Sequence, residues 1–291
     1  MEKSVLALIF ILAFSFIHSQ TAPRKLKFNQ GEAFDISLEV QTTINQQAMG
    51  QVIDFNVNAT ALHTYKVTNA TEENTTLNHQ VKHVTFSFDG MGQKRKFDSR
   101  VEKDLNGQFG KPVKELLEKK YDMIIDTSGK VLMAMPEKVT ISTGDSRMAM
   151  ITNMLKDVFD LVQPPQKGKG SFFAILPTKE TGKGQPWTES YVNDQGKFDA
   201  AYTISEINDS TIIIDFATSS LTVSKAEMMG SETVTTMNNK STGKIIVNAI
   251  TGIMIEKNMV TESTGNTETS FGTLPVTAKT VSTMKVREFE N

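Results

Sequence analysis

Apolar and polar residues alternate with a period of two along most of this chain. In Phe34–Gln41, the residues Phe34, Ile36, Leu38 and Val40 interleave with Asp35, Ser37, Glu39 and Gln41. Successive side chains of a strand point to opposite faces, so this segment is expected to be a strand with one dry face and one wet face. The pattern returns at greater length from Ile53. Phe55, Val57, Ala59, Ala61, Tyr65 and Val67 share its face, and Asp54, Asn56, Asn58, Thr60, Thr64 and Lys66 share the other. A strand of about 15 residues at ~3.3 Å each is about 50 Å long, well beyond the usual 5–6 residues, and implies a large, curved sheet. The return strand Leu77–Phe88 changes parity, from Leu77 and Val81 to Val84, Phe86 and Phe88. One extra residue in a β-bulge near Lys82–Val84 produces such a switch.

Further hairpins are expected where alternating runs flank polar turns. Tyr121–Ile125 joins Val131–Met135 through Asp126-Thr-Ser-Gly-Lys130, and Phe198–Ile207 joins Ile212–Phe216 through Asn208-Asp-Ser210. Ile245–Ala249 joins Ile253–Met259 through Thr251-Gly252, and Ala278–Val286 reads as a closing strand. Two helices interrupt the strands. Pro112 suits the first turn of a short helix over 112–120. A longer one covers 145–162, where Met148, Ile151, Leu155, Val158, Phe159 and Val162 form one apolar stripe. Asp145 or Ser146 caps its start, and Pro164-Pro165 ends it. The expected fold is mainly β (α+β): a large antiparallel, curved or half-barrel sheet of long hairpins carrying these two helices. Residues 20–291 are expected to form a single β-rich domain, with a two-half organisation about a linker at 163–170 as the alternative.

The first residues change the compartment. Lys3 provides a basic start, Val5–Ile17 is an almost unbroken apolar run, and Ser19 stands at a cleavage point before Gln20. Residues 1–19 therefore read as a signal peptide, too short to cross a ~30 Å hydrocarbon core as a stable helix. The mature protein is expected to be periplasmic or secreted, and no later stretch approaches membrane-spanning length. Hydrophobic residues are 38% and charged residues 22%, the composition of a globular chain. The net charge of −2 recommends neither nucleic acid nor an anionic surface as a partner. The absence of cysteine removes disulfides, thiolate metal sites, cysteine nucleophiles and a lipoprotein anchor.

Candidate chemistry is thin. Gly-Lys pairs recur at Gly110, Gly129, Gly168, Gly182, Gly196 and Gly243, but none carries the glycine five residues earlier that a phosphate-binding loop needs. Ser241-Thr-Gly-Lys244 and Ser282-Thr-Met-Lys285 match a bare Ser-x-x-Lys pattern in strand-like sequence, where the two side chains face opposite sides. His63 is the sole polar residue on the apolar face of the long strand, and His79 and His83 flank Val81 on one face of the next strand. A hairpin centred near Thr71 sets His63 roughly opposite His79. Neutral imidazoles on neighbouring strands suit zinc or copper. They equally suit buried histidines satisfied by backbone or water. With no acidic ligand placed, no metal site and no cofactor is assigned. The Asn-x-Ser/Thr sequons at Asn58, Asn69, Asn74, Asn208 and Asn239 matter only in a eukaryotic secretory pathway.

Several phrases carry a family likeness. They are Leu26-Lys-Phe-Asn-Gln-Gly31, Met49-Gly-Gln51, Phe86-Ser-Phe-Asp-Gly-Met-Gly92, Lys120-Tyr-Asp-Met-Ile-Ile-Asp126 with Gly129-Lys-Val131, Pro186-Trp187, and Thr251-Gly252. Together they resemble the exported domain-of-unknown-function family 6263 of Gram-negative bacteria. That resemblance implies a periplasmic or secreted bacterial protein and carries over no functional residue. At the level of fold, long antiparallel strands with a helix laid against them resemble periplasmic lipoprotein carriers of the LolA and LppX kind, whose half-barrel sheets have an apolar concave face. The expected function is a non-catalytic binding module. It holds an apolar ligand, a lipid or acyl chain, between the sheet and helix 145–162, with Met148, Ile151, Met154, Leu155 and Phe159 facing it. The alternative is a structural or protein-interaction component of the cell envelope.

Overall fold

The computed structural model describes residues 21–48, 51–90, 92–107, 110–135, 167–174, 177, 179–193, 196–228, 231–270 and 272–289. The expected signal peptide 1–19, the expected helix 145–162 with Met148, Ile151, Met154, Leu155 and Phe159, and linker positions 163–166 lie outside the described residues.

The strands are β1 (Ala33–Ala48), β2 (Gln51–Ala70), β3 (Asn74–Gly90), β4 (Gln93–Asp98), β5 (Lys120–Asp126), β6 (Val131–Met135), β7 (Pro186–Asn193), β8 (Gly196–Ile207), β9 (Thr211–Met228), β10 (Ser231–Asn248), β11 (Met254–Thr269) and β12 (Gly272–Phe289). Helices α1 (Glu102–Leu105) and α2 (Gly110–Glu118) lie between β4 and β5. All twelve strands form one antiparallel sheet in the order β6-β5-β3-β2-β1-β12-β11-β10-β9-β8-β7, with β4 also on β3. The first and last strands meet in its middle, Ala33 opposite Phe289 through Gln46 opposite Val276. The ordered path ends at β6 and β7, β4 pairs only with β3, and the sheet does not close on itself.

The long strands follow the alternation. On β2, Phe55, Val57, Ala59, Ala61, His63, Tyr65 and Val67 are all buried, one every second residue. The bulge falls within the expected window. Pairing passes from Leu62–His83 to His63–Val81, which leaves Lys82 without a partner. Val84, Phe86 and Phe88 are thereby returned to the face of Leu77, His79 and Val81, and all six are buried. The short helix α2 begins two residues before the expected start and ends two before the expected end. It buries Val113 and Leu116 in a cluster with Phe55, Val57, Phe86 and Phe97.

One end of the sheet is rolled. The adjacent amides of Leu26 and Lys27 donate to the carbonyls of Thr127 (2.7 Å) and Thr251 (2.9 Å). Thr127 belongs to the β5–β6 turn and Thr251 to the β10–β11 turn, whose nearest strands, β5 and β11, are five spacings apart in sheet order. In a flat sheet that separation is about 24 Å. Neighbouring residues are ~3.8 Å apart along the chain, so these bonds hold the two turns within roughly 10 Å. The sheet must therefore curl, and its apolar face becomes an inner face. The segment after Thr21 ties further strand ends: Ala22 N–H donates to the Thr181 carbonyl and Gly31 N–H to that of Val67.

Residues 167–174 strap across the same end. Val131 N–H donates to Lys169, and Ser171 N–H to Gly129. Gly129 has φ +84°, and a Cβ there would lie 2.9 Å from Ala174 Cα and from Leu26 Cδ1, so both the turn and the close approach require glycine. The strap drives Phe173 into the roll, edge-on to Phe28 (5.3 Å), Phe34 (6.1 Å) and Tyr65 (5.7 Å). These rings plug that end of the half-barrel.

Candidate functional site

Just inside the plug, pairing lines up one residue from each of four neighbouring strands. Phe34 on β1 opposes Tyr65 on β2, Tyr65 opposes His79 on β3, and His79 opposes Tyr121 on β5. The rings of Tyr65 and His79 lie 4.4 Å apart and those of His79 and Tyr121 5.4 Å. His63, two residues from Tyr65 on the same face of β2, reaches diagonally to His79, with Nδ1 2.8 Å from Nε2. Phe172 packs edge-on over His63 and Tyr65. Both histidines are buried.

This cluster holds more polar capacity than it uses. One imidazole donates to the other, so of the two remaining ring nitrogens one carries a proton and the other a lone pair. His63 Nε2, His79 Nδ1 and the hydroxyls of Tyr65 and Tyr121 are buried with no hydrogen-bond partner among the described residues. Desolvation lowers His63 to about 4 and lowers His79 too, the latter also through repulsion from His63. Both are neutral at pH 7. The same desolvation raises the Tyr65 and Tyr121 hydroxyls, which stay protonated.

The expectation that His79 and His83 share a face is corrected. The unpaired Lys82 turns His83 to the opposite side of the sheet, where its Nε2 lies 2.8 Å from Asp98 Oδ1. Asp98, held below the usual carboxylate range by the Arg100 amide and by His83, lines an outer depression of about 340 Å³ with Lys96 and Asp104. The three histidines are therefore a buried pair and a separate outward residue. Among the described residues no group of three or more histidine or acidic side chains is placed to hold a metal ion.

The inner face is not uniform. On β1–β3 it is apolar around the buried histidine pair. On β9–β12, beyond the plug, hydroxyls take over, with Ser241 2.8 Å from Thr261, Thr235 3.0 Å from Thr267, and Asn239 bonded to Ser220 and Thr222. Lys257 stands at the border. It pairs with Ile245 on one side and Met284 on the other, both inner-facing, and its Nζ lies 5.0 Å from the centroid of the Phe216 ring. No sequence signal distinguished this lysine, because only the register shows which face it occupies.

A rolled, unclosed antiparallel sheet with a mixed apolar and hydroxyl interior defines a β half-barrel. Residues 72–254 match the model of a family of unknown function (DUF6263), and the chain belongs to that family. No curated protein matches the chain. Among solved structures, lipovitellin, described for its lipid–protein interactions, aligns over 91% of this chain with a TM-score of 0.51 and 9% identity. The chain spans 26% of that protein's length, and the likeness concerns the fold. The COG4313 outer membrane channel of Pseudomonas putida F1 aligns over 90% of this chain and 98% of its own at a TM-score of 0.23 and 7% identity. Salmonella typhi OmpF aligns over 89% and 99% at 0.26 and 11%. No helix among the described residues is long and apolar enough to cross a membrane.

Proposed function

We propose that this protein is an exported, non-catalytic binding module that holds an apolar ligand, a lipid or acyl chain, against the inner face of its half-barrel. The observation that carries the reading is the one-sided apolar face of β1–β3 on a sheet rolled and plugged at one end. A curled sheet closed at one end and open along its edges offers a sheltered apolar surface without the closure of a barrel. The inner methionines Met259 and Met284 add side chains that adapt to an irregular guest. The lipid–protein interactions named for lipovitellin, whose fold this chain approaches, point the same way. The signal-like start supports work outside the cytoplasm, in the periplasm or beyond.

Native mass spectrometry on Gln20–Asn291 purified from the periplasm of a Gram-negative host tests the reading. An adduct of several hundred daltons that organic extraction removes is the expected result. A bare polypeptide mass would count against it and favour a second reading, a protein-interaction role in the cell envelope. That alternative draws on the two end strands, where Leu132, Met133 and Met135 of β6 and Tyr191 and Val192 of β7 are exposed.

A further inference from the structure

Lysine is rarely placed on the apolar face of a sheet without an acid beside it, because an ammonium withdrawn from water needs a partner. Lys257 is such a placement. Its strand neighbours across the ladder are Ile245 and Met284, and the next inner residue on its own strand is Met259. Among the described residues no carboxylate meets it. What holds the ammonium is a ring face, Phe216, at 5.0 Å.

Gly243 makes that geometry. It lies on β10, directly opposite Phe216 on β9 and Met259 on β11. A Cβ at Gly243 would stand 2.8 Å from two atoms of the Phe216 ring and would also strike the Asn258 carbonyl. The ring therefore leans over a backbone with no side chain, and the lysine reaches across the same gap to the ring. Burial also pulls the Lys257 ammonium below its usual value, the mark of a charge short of solvation. Around it the surroundings divide. Towards β12 and β1 they are apolar, with Met284 and Leu38, and further along β10 and β11 they carry the hydroxyls of Ser241 and Thr261.

We propose that Lys257 is the anchor for the head of an anionic amphiphile, a long-chain carboxylate whose acyl tail lies across Met284 and Leu38 onto the apolar wall of β1–β3. This rests on the apolar-ligand reading above and narrows it from lipids in general to acids. A carboxylate supplies the counter-charge that no described residue gives Lys257, and its chain needs the apolar wall. A neutral ester would satisfy only the last of these.

The test compares cis-parinaric acid with its methyl ester, titrated by fluorescence into Gln20–Asn291 and its variants. The wild type is expected to bind the acid about tenfold more tightly than the ester, the scale of one charge-assisted contact in a sheltered site. In Lys257→Met and Lys257→Gln the acid-to-ester ratio falls to about one, and in Lys257→Arg it is kept. Circular dichroism and the ester titration report whether each variant is folded. Equal affinity of the wild type for acid and ester overturns the anchor while leaving the apolar-ligand reading intact. A preference that survives in both Lys257→Met and Lys257→Gln overturns it as well. If neither probe binds the wild type, the apolar-ligand reading fails and the anchor falls with it.

Discussion

His63 Nδ1 lies 2.8 Å from His79 Nε2 inside the half-barrel, although the ladder sets His63 opposite Val81 and His79 opposite Tyr65. The contact is diagonal, between inner residues of adjacent strands, and both rings are neutral because burial penalises their charged forms. The unfolded chain takes up protons on these rings before the folded one does. Stability is therefore full above the ordinary histidine value of 6.5 and is lost as pH falls towards about 4, by about 3 kcal/mol from His63 alone. The urea midpoint should drop steadily from pH 7 to pH 4.5. In a His63→Leu/His79→Leu double variant it should stay nearly level over that interval. Asp98 titrates below the ordinary carboxylate range and so contributes its own loss at lower pH. A wild-type midpoint that does not move between pH 7 and pH 4.5 would sink this account.

The hydroxyls of Tyr65 and Tyr121 are buried and face no protein partner among the described residues. Removing an unsatisfied hydroxyl while keeping the ring deletes a desolvated dipole and little packing. Tyr65→Phe and Tyr121→Phe should each be neutral or stabilising by up to about 1 kcal/mol. Chemical denaturation of the two variants checks this. A loss of more than about 1 kcal/mol would show that the hydroxyl makes a real hydrogen bond.

Phe173 is fully buried and touches the rings of Phe28, Phe34 and Tyr65. Phe173→Ala should cost about 3–5 kcal/mol through lost burial and the cavity left behind. Because Phe173 belongs to the strap rather than the sheet, the damage should localise. Hydrogen exchange should quicken first around Tyr65 and His79, with the β9–β10 ladder protected until global unfolding. Uniform loss of protection across the sheet would contradict the plug's separate role.

Gly243 has no room for a side chain between the Asn258 carbonyl and the Phe216 ring. Gly243→Ala must push Phe216 aside or part β10 from β11, a strain of about 1–3 kcal/mol. Thermal unfolding should register the loss. A variant as stable as the wild type would mean that the ring does not rest where the close approach requires it.

Much of the fold was legible in the chain. The alternation from Phe34 and from Ile53 identified the inner faces of β1 and β2, because burial on one side of a pleated strand leaves a period of two. The parity switch after Val81 located the bulge that leaves Lys82 unpaired, and the turns at Asp126–Lys130, Asn208–Ser210 and Thr251-Gly252 located three hairpins. The lengths of β9 and β10 were not legible. The expected strand stopped at Phe216, but β9 runs to Met228. Past Phe216 its inner residues Thr218, Ser220 and Thr222 are polar and its outer residues Leu221 and Val223 are exposed, so the period carries no apolar face to read. Hydrogen bonds to neighbouring strands, such as those from Asn239 to Ser220 and Thr222, satisfy these hydroxyls instead.

The strands with a dry face, the hairpin turns, the bulge and the short helix are local preferences, each written within a few residues of itself. The pairing of β1 with β12, the roll that brings Thr127 near Thr251, the turning of His83 away from His79 and the placing of Lys257 over Phe216 were decided only by the tertiary structure. Each joins positions that are far apart in the chain or depends on a register that alternation alone does not count. A single-residue slip would send every one of those side chains to the other face, and only long-range pairing settles which face is inside.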